Sequence, residues 1–345
     1  MNIKIRAFTY NLATISALLL FFPACHKNKD TRLIIEEENF INIPAGFPPM
    51  EFPSDNAFSK ARWELGKKLF FDPIMSIDST ISCASCHKPH LAFSDDVALS
   101  NGVFNRAGTR NAPSLGNVGY QPYFIREGSV PTLEMQVLVP IQEHNEFNHN
   151  IVDLSEQLTN IPAYRQLSIE AYSRSIDPFV ITRALGNFER SLISGNSAYD
   201  KYINGNENAL NAQEKKGLEL FFSAKTNCSS CHSGFNFTDY TFQNNGLYEN
   251  YNDLGRMRFT NDSADLALFK VPSLRNVALS KPYMFNGQFT SLQEVLEHYN
   301  AGGQNHPNKS PKISPLNLNP TELKELEAFL SSLSDYEFIN NPRWK

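Results

Sequence analysis

The sequence predicts a mainly α-helical protein built from two similar units, and three observations carry that prediction. Apolar residues recur at helical spacing in short segments. One such segment, Lys60 to Phe71, is echoed in the second half of the chain by Glu214 to Phe222. Each copy leads into the same pentapeptide pattern, Cys-x-x-Cys-His. A chain of 345 residues with 41% hydrophobic content is long enough for two cores of ordinary size.

At the N-terminus, Lys4 and Arg6 precede an apolar run from Leu12 to Phe22, then Pro23 and Ala24, so residues 1–24 read as a signal peptide. The run is too short to span a bilayer. It ends at Cys25, and Phe22-Pro23-Ala24-Cys25 resembles a bacterial lipobox, so Cys25 is expected to be lipidated and to hold the protein at a membrane surface in the periplasm. Residues 25–50 contain Glu36-Glu37-Glu38 and Pro44, Pro48 and Pro49, the composition of a tether.

The folded elements follow in order. In 60–71, Trp63 and Phe70, and the pair Leu65 and Leu69, recur at helical spacing. Further helices are expected at 132–139, 153–159, 178–193, 291–299 and 320–333. The last begins after Pro320 at Thr321-Glu322 and buries Leu323, Leu326, Phe329, Leu330 and Leu333. Ser194-Gly195-Asn196-Ser197 and Asn204-Gly205-Asn206 interrupt the pattern, so a first domain over 51–200 and a second over 201–345 are expected.

Cysteine arithmetic points to the chemistry. With Cys25 assigned to lipid, the other four fall into Cys83-Ala84-Ser85-Cys86-His87 and Cys228-Ser229-Ser230-Cys231-His232. Cys-x-x-Cys-His is the attachment pattern of haem c: two thiols add to the haem vinyl groups, and the adjacent His is placed to bind iron. From five Cys and eight His the chance expectation is about 0.002 such motifs, and there are two. Two covalent haems c are therefore expected, in two cytochrome c-like helical domains. Paired zinc knuckles normally lie much closer together than these motifs, which are 145 positions apart. Lys and Arg number 31 against 36 Asp and Glu, so no broad basic surface for nucleic acid is expected.

The stretch from about 51 to 340 resembles the di-haem cytochrome c peroxidase family, including its MauG-like members. The resemblance rests on Glu64-Leu65-Gly66-Lys67-Lys68-Leu69-Phe70-Phe71-Asp72-Pro73, Arg110-Asn111-Ala112-Pro113-Ser114, Val271-Pro272-Ser273-Leu274-Arg275-Asn276-Val277 and Ser291-Leu292-Gln293-Glu294, in that order. It implies that the N-terminal haem reduces hydrogen peroxide, while the C-terminal haem relays electrons from a small donor such as cytochrome c or a cupredoxin. A MauG-like oxidation of a protein or small molecule is the alternative, and a homodimer is compatible with the family.

Carried over residue by residue, the resemblance makes Gln136 the distal Gln and Glu146 the distal catalytic acid/base. The neighbouring His90, His144 and His149 are read as local surface residues. A mobile distal His found in many members is replaced by Val103, which cannot bind iron, and an inter-haem Trp is replaced by Arg126. The distal ligand position of the second haem falls on Tyr299, with His298, Met257 and Met284 as rivals. A calcium ion between the domains is also implied, with Asn111 supplying a side-chain oxygen and Ser280 and Pro282 supplying carbonyls.

Overall fold

The computed structural model describes residues 40–344. The expected signal peptide and Cys25 lie outside the described residues. Helix α1 (Lys60–Phe71) starts at Ser59, whose Oγ accepts from the Arg62 amide, and stops at Asp72-Pro73; Trp63, Leu65, Leu69 and Phe70 form its buried side. It crosses helix α7 (Pro178–Arg190), which begins with Asp177 as N-cap and Pro178 in the first turn. A Cβ on Gly66 would fall 1.9 Å from the Ala184 carbonyl oxygen, so this crossing requires glycine.

The same crossing recurs in the second half. Helix α9 (Ala212–Phe221) and helix α12 (Pro320–Ser332) each start with a capping box, Asn211 with Glu214 and Asn319 with Glu322. A Cβ on Gly217 would lie 1.8 Å from the Glu325 carbonyl oxygen. Phe188 and Phe329 sit four residues beyond the two pinched carbonyls and close the crossings identically.

Around the first crossing, Trp63, Phe70, Phe93, Phe188 and Leu185 form one core; around the second, Phe221, Phe237, Leu326 and Phe329 form another. These are two cytochrome c-like helical domains. The described residues contain one small sheet, in which β1 (Phe242–Gln243) pairs antiparallel with β2 (Phe269–Lys270).

The duplication extends to the joint between domains. Asn117 and Asn276 both adopt left-handed backbone, and their amides donate to the carbonyls of Leu192 and Leu333, each four residues past the phenylalanine that closes its crossing. The two corners meet where Asn276 Nδ2 donates to Ser194 Oγ, which donates to Asp335 at 3.1 Å.

Several sequence expectations are corrected. The described part of the proposed tether is packed, with Phe40 edge-on to Trp63, and Phe47 against Phe235. The last residues of the expected 201–345 domain belong to the first core, where Phe338 and Trp344 pack on Phe93. The helix expected at 132–139 is two short pieces, α3 (Leu133–Gln136) and α4 (Leu138–Gln142), because Pro140 has no N–H to donate to the Gln136 carbonyl. Helix α5 (Ile151–Thr159) covers the expected 153–159, helix α6 (Pro162–Tyr172) has a Pro start that periodicity alone did not reveal, and α8 (Ala198–Ile203) occupies the presumed junction, capped by Ser197 with Asp200.

Candidate haem sites and the distal groups

Cys83 and Cys86 bracket a single helical turn, α2 (Cys83–Cys86), started by the reciprocal Ser82–Ser85 capping box. The His87 amide donates to the Cys83 carbonyl and closes the turn. Cys228 and Cys231 flank a 3₁₀ turn that the His232 amide closes on Cys228 in the same way.

Each histidine is oriented by a backbone carbonyl. His87 Nδ1 lies 2.8 Å from the Phe93 oxygen and His232 Nδ1 lies 3.0 Å from the Phe237 oxygen. Both Phe residues take left-handed backbone, which turns these carbonyls inward. A carbonyl only accepts, so Nδ1 carries the proton and the Nε2 lone pair is available to a metal. Burial lowers the pKa of both rings and keeps them neutral, the form that ligates iron. These groups fit haem c.

They do not fit zinc. Burial raises Cys83 well above the usual thiol range and Cys86 to about 11, so with nothing bound both stay protonated thiols. Among the described residues no cluster of three or more His, Cys, Asp or Glu is placed to hold a metal ion.

Glu146 stands on the Cys83–Cys86 side, close enough for its charge to act on both thiols. Its side chain is open to solvent, yet enough protein surrounds it that burial, and secondarily Glu143, raises the carboxyl to about 7. Both statements hold for a residue on the wall of a recess and not for one on a convex surface. Its loop is fixed by three amide donations: Phe147 to the Pro140 carbonyl, His149 to Ile141 and Val103 to Glu146 itself. Val103 is fully buried and its amide donates to the Glu146 carbonyl, so the position expected to lack a histidine adjoins the Glu146 backbone. Gln136 is half-buried at the end of α3, in the same helix–loop unit.

His90 and His144 are exposed, as expected, and Arg106 donates to the His144 carbonyl. His149 is not a surface residue: it is 8% exposed and its Nδ1 has no hydrogen-bond partner among the described residues. The backbone bond to Ile141 carries it inward.

In the second unit Tyr299, on helix α11 (Leu292–Ala301), lies within electrostatic reach of Cys228 and Cys231, and burial raises its phenol. Asn245, which the sequence did not single out, donates from one Nδ2 to Met284 Sδ at 3.1 Å and to Tyr299 Oη at 3.5 Å. These two candidates therefore share one place. His298 Nε2 is engaged by the Asn245 carbonyl at 3.0 Å, which leaves it poorly placed as a ligand. Met257 lies on helix α10 (Met257–Thr260), outside this hydrogen-bonded group.

At the calcium position, Asn111 Nδ2 donates to the carbonyls of Val97 and Ala98, and Asn111 Oδ1 accepts from Arg126 Nη2 at 3.3 Å.

Two helical units, each presenting a Cys-x-x-Cys-His turn and an oriented imidazole, define a c-type cytochrome with two haem sites. The family model for di-haem cytochrome c peroxidase matches residues 60–208, and that for cytochrome c matches 214–334. Methylamine utilization protein MauG of Methylorubrum extorquens is 36% identical over 285 residues, 81% of this chain and 80% of that one. Cytochrome c551 peroxidase of Pseudomonas aeruginosa is 32% identical over 290 residues, 80% of this chain and 79% of that one. A crystal structure of a MauG-like protein associated with microbial copper homeostasis superposes with a TM-score of 0.84 at 31% identity, covering 88% of this chain and 98% of that one. The chain belongs to the di-haem cytochrome c peroxidase family, with its MauG-like members.

Proposed function

We propose that the protein is an exported di-haem peroxidase that reduces hydrogen peroxide to two waters with two protons and two electrons from a small donor protein. Haem c at His87 would supply the iron and the electrons that break the O–O bond. Glu146 is the observation that carries this reading. A carboxyl with a pKa near 7 can take a proton from one peroxide oxygen and return it to the departing oxygen, and the half-buried Gln136 amide can orient the substrate by donating to it. Val103 leaves no imidazole beside Glu146 to compete with peroxide. His232 and Tyr299 would hold the second haem, which would serve as an electron store. The lipid anchor at Cys25 would keep the protein at a membrane surface outside the cytoplasm, and among the described residues no helix is long and apolar enough to cross a membrane.

The second reading is MauG-like oxidation of a protein or small molecule. Tyr299 favours it, because a phenolate stabilises ferric iron and would lower the potential of the second haem. Stopped-flow mixing of the oxidised holoprotein with peroxide, with and without reduced cytochrome c, tests both. Rapid multiple turnover of cytochrome c supports the peroxidase, whereas a long-lived oxidised state indifferent to cytochrome c supports the alternative. No reaction with peroxide under either condition would sink both.

A further inference from the structure

The calcium expectation needs the Asn111 side-chain oxygen free to meet a metal, and the structure commits it elsewhere. Donation from Nδ2 to Val97 at 3.2 Å and Ala98 at 3.3 Å fixes the amide, and the opposite oxygen faces a guanidinium. Arg126 Nη2 also donates to the Asn111 backbone carbonyl at 2.8 Å. A cation already holds both oxygens of this residue.

The surrounding charges point the same way. Glu127 pairs with Arg110 and lies 4.0 Å from Arg258, while Asp253 accepts two bonds from Arg110 at 2.7 and 2.8 Å. The nearby acids are therefore taken up by other arginines. Lys270 is held by two neutral oxygens, the Gln121 side chain and the Tyr123 carbonyl. Arg126 meets only neutral Asn111, and its buried Nε has no partner among the described residues. Arg126 thus brings a positive charge with no carboxylate of its own and a spare donor, which suits a carboxylate such as a haem propionate and opposes a divalent cation. Asn111, with a guanidinium on both its oxygens, does not fit calcium.

We infer that Arg126 replaces the interdomain calcium of the family, its guanidinium tying Asn111 in place as a permanent built-in cation. The link reaches across the domains, since the Asn111 amide donates to the Phe285 carbonyl and the Lys270 amide to the Arg126 carbonyl. The inference rests on family membership and not on the peroxidase reading, and its test needs no turnover.

Holoprotein stripped with EGTA should take up no calcium in a calorimetric titration and should melt at the same temperature with EGTA or about 1 mM calcium. Arg126→Ala should melt lower in EGTA and recover part of the loss in calcium, because Asn111 Oδ1 is released; Arg126→Lys should stay indifferent to calcium. Binding of about one calcium per wild-type chain, with a rise in melting temperature or a haem spectral change, would overturn the inference. So would an Arg126→Ala protein that melts like wild type in both buffers. If Arg126→Ala does not fold, the wild-type and Arg126→Lys titrations still decide it.

Discussion

Glu146 gives the reaction a pH dependence that can be worked from its surroundings. Its carboxyl is raised from the ordinary 4.5 to about 7, chiefly by burial and less by Glu143. As a base it must be deprotonated to accept the peroxide proton, so the second-order rate with peroxide should rise with pH and level off above about 7. Two units below, near pH 5, only about 1% is ionised, and the rate should be about 100-fold under the plateau. Rapid-mixing spectra of the holoprotein between about pH 5 and 9 measure this directly. Glu146→Gln should lose about 10²-fold or more at neutral pH and flatten the profile while retaining both haems. Glu143→Gln should move the inflection slightly to lower pH, since it removes only the smaller cause. An unaltered inflection in Glu146→Gln would show that another group titrates, and a flat wild-type profile would remove Glu146 from proton transfer.

Other perturbations test the site and its scaffold. Val103→His should place an imidazole beside Glu146, convert the resting first haem to low spin and make its peroxide reaction depend on prior reduction; an unchanged ferric spectrum would show that position 103 does not face the iron. Gly217→Ala should lower stability by about 3 kcal/mol or more, because a Cβ would sit 1.8 Å from a backbone carbonyl, and a thermal melt should record a loss of about 6–12 °C. Glu134→Gln should cost about 3–5 kcal/mol by leaving the Arg190 guanidinium, 7% exposed, without its anion. The sign of the associated pH effect follows from the lowered Glu134 pKa: the pair's contribution is complete above the ordinary 4.5 and is lost as pH falls through the lower folded value, which a denaturation series in acid would reveal.

The legible parts of the molecule were those set by covalent spacing or by uninterrupted periodicity. Cys-x-x-Cys-His dictates the attachment turn wherever it is folded, and the apolar stripe of 320–333 needs one partner helix. The parts that escaped depend on distant neighbours. Asn245 is one asparagine among many until the fold brings it to Met284 and Tyr299. His149 lies in a polar stretch, and only its backbone bond to Ile141 turns it inward. The packing of Phe338 on the first core joins residues some 240 positions apart in the chain, a distance over which no local pattern carries information.

The two units part ways at one comparable position. Bridges Phe124–Val130 and Tyr283–Phe289 have the same spacing, and each is followed by a hydroxyl N-cap, Thr132 or Ser291, and a buried leucine, Leu133 or Leu292. Counting seven residues on from each leucine reaches Pro140 in the first unit and Tyr299 in the second. Proline interrupts the helix and lets the following loop fold back with Glu146, and it has no group that could bind iron. In the second unit the helix continues unbroken for ten residues and delivers a phenol to the Cys228–Cys231 side. One scaffold therefore yields a face with an open carboxylate and a face with a candidate ligand. If that division holds, Tyr299→Phe should turn the second ferric haem high-spin or water-bound and leave the spectrum of the first unchanged. A second haem that stays low-spin with an unaltered potential would move the ligand to Met284, the other partner of Asn245.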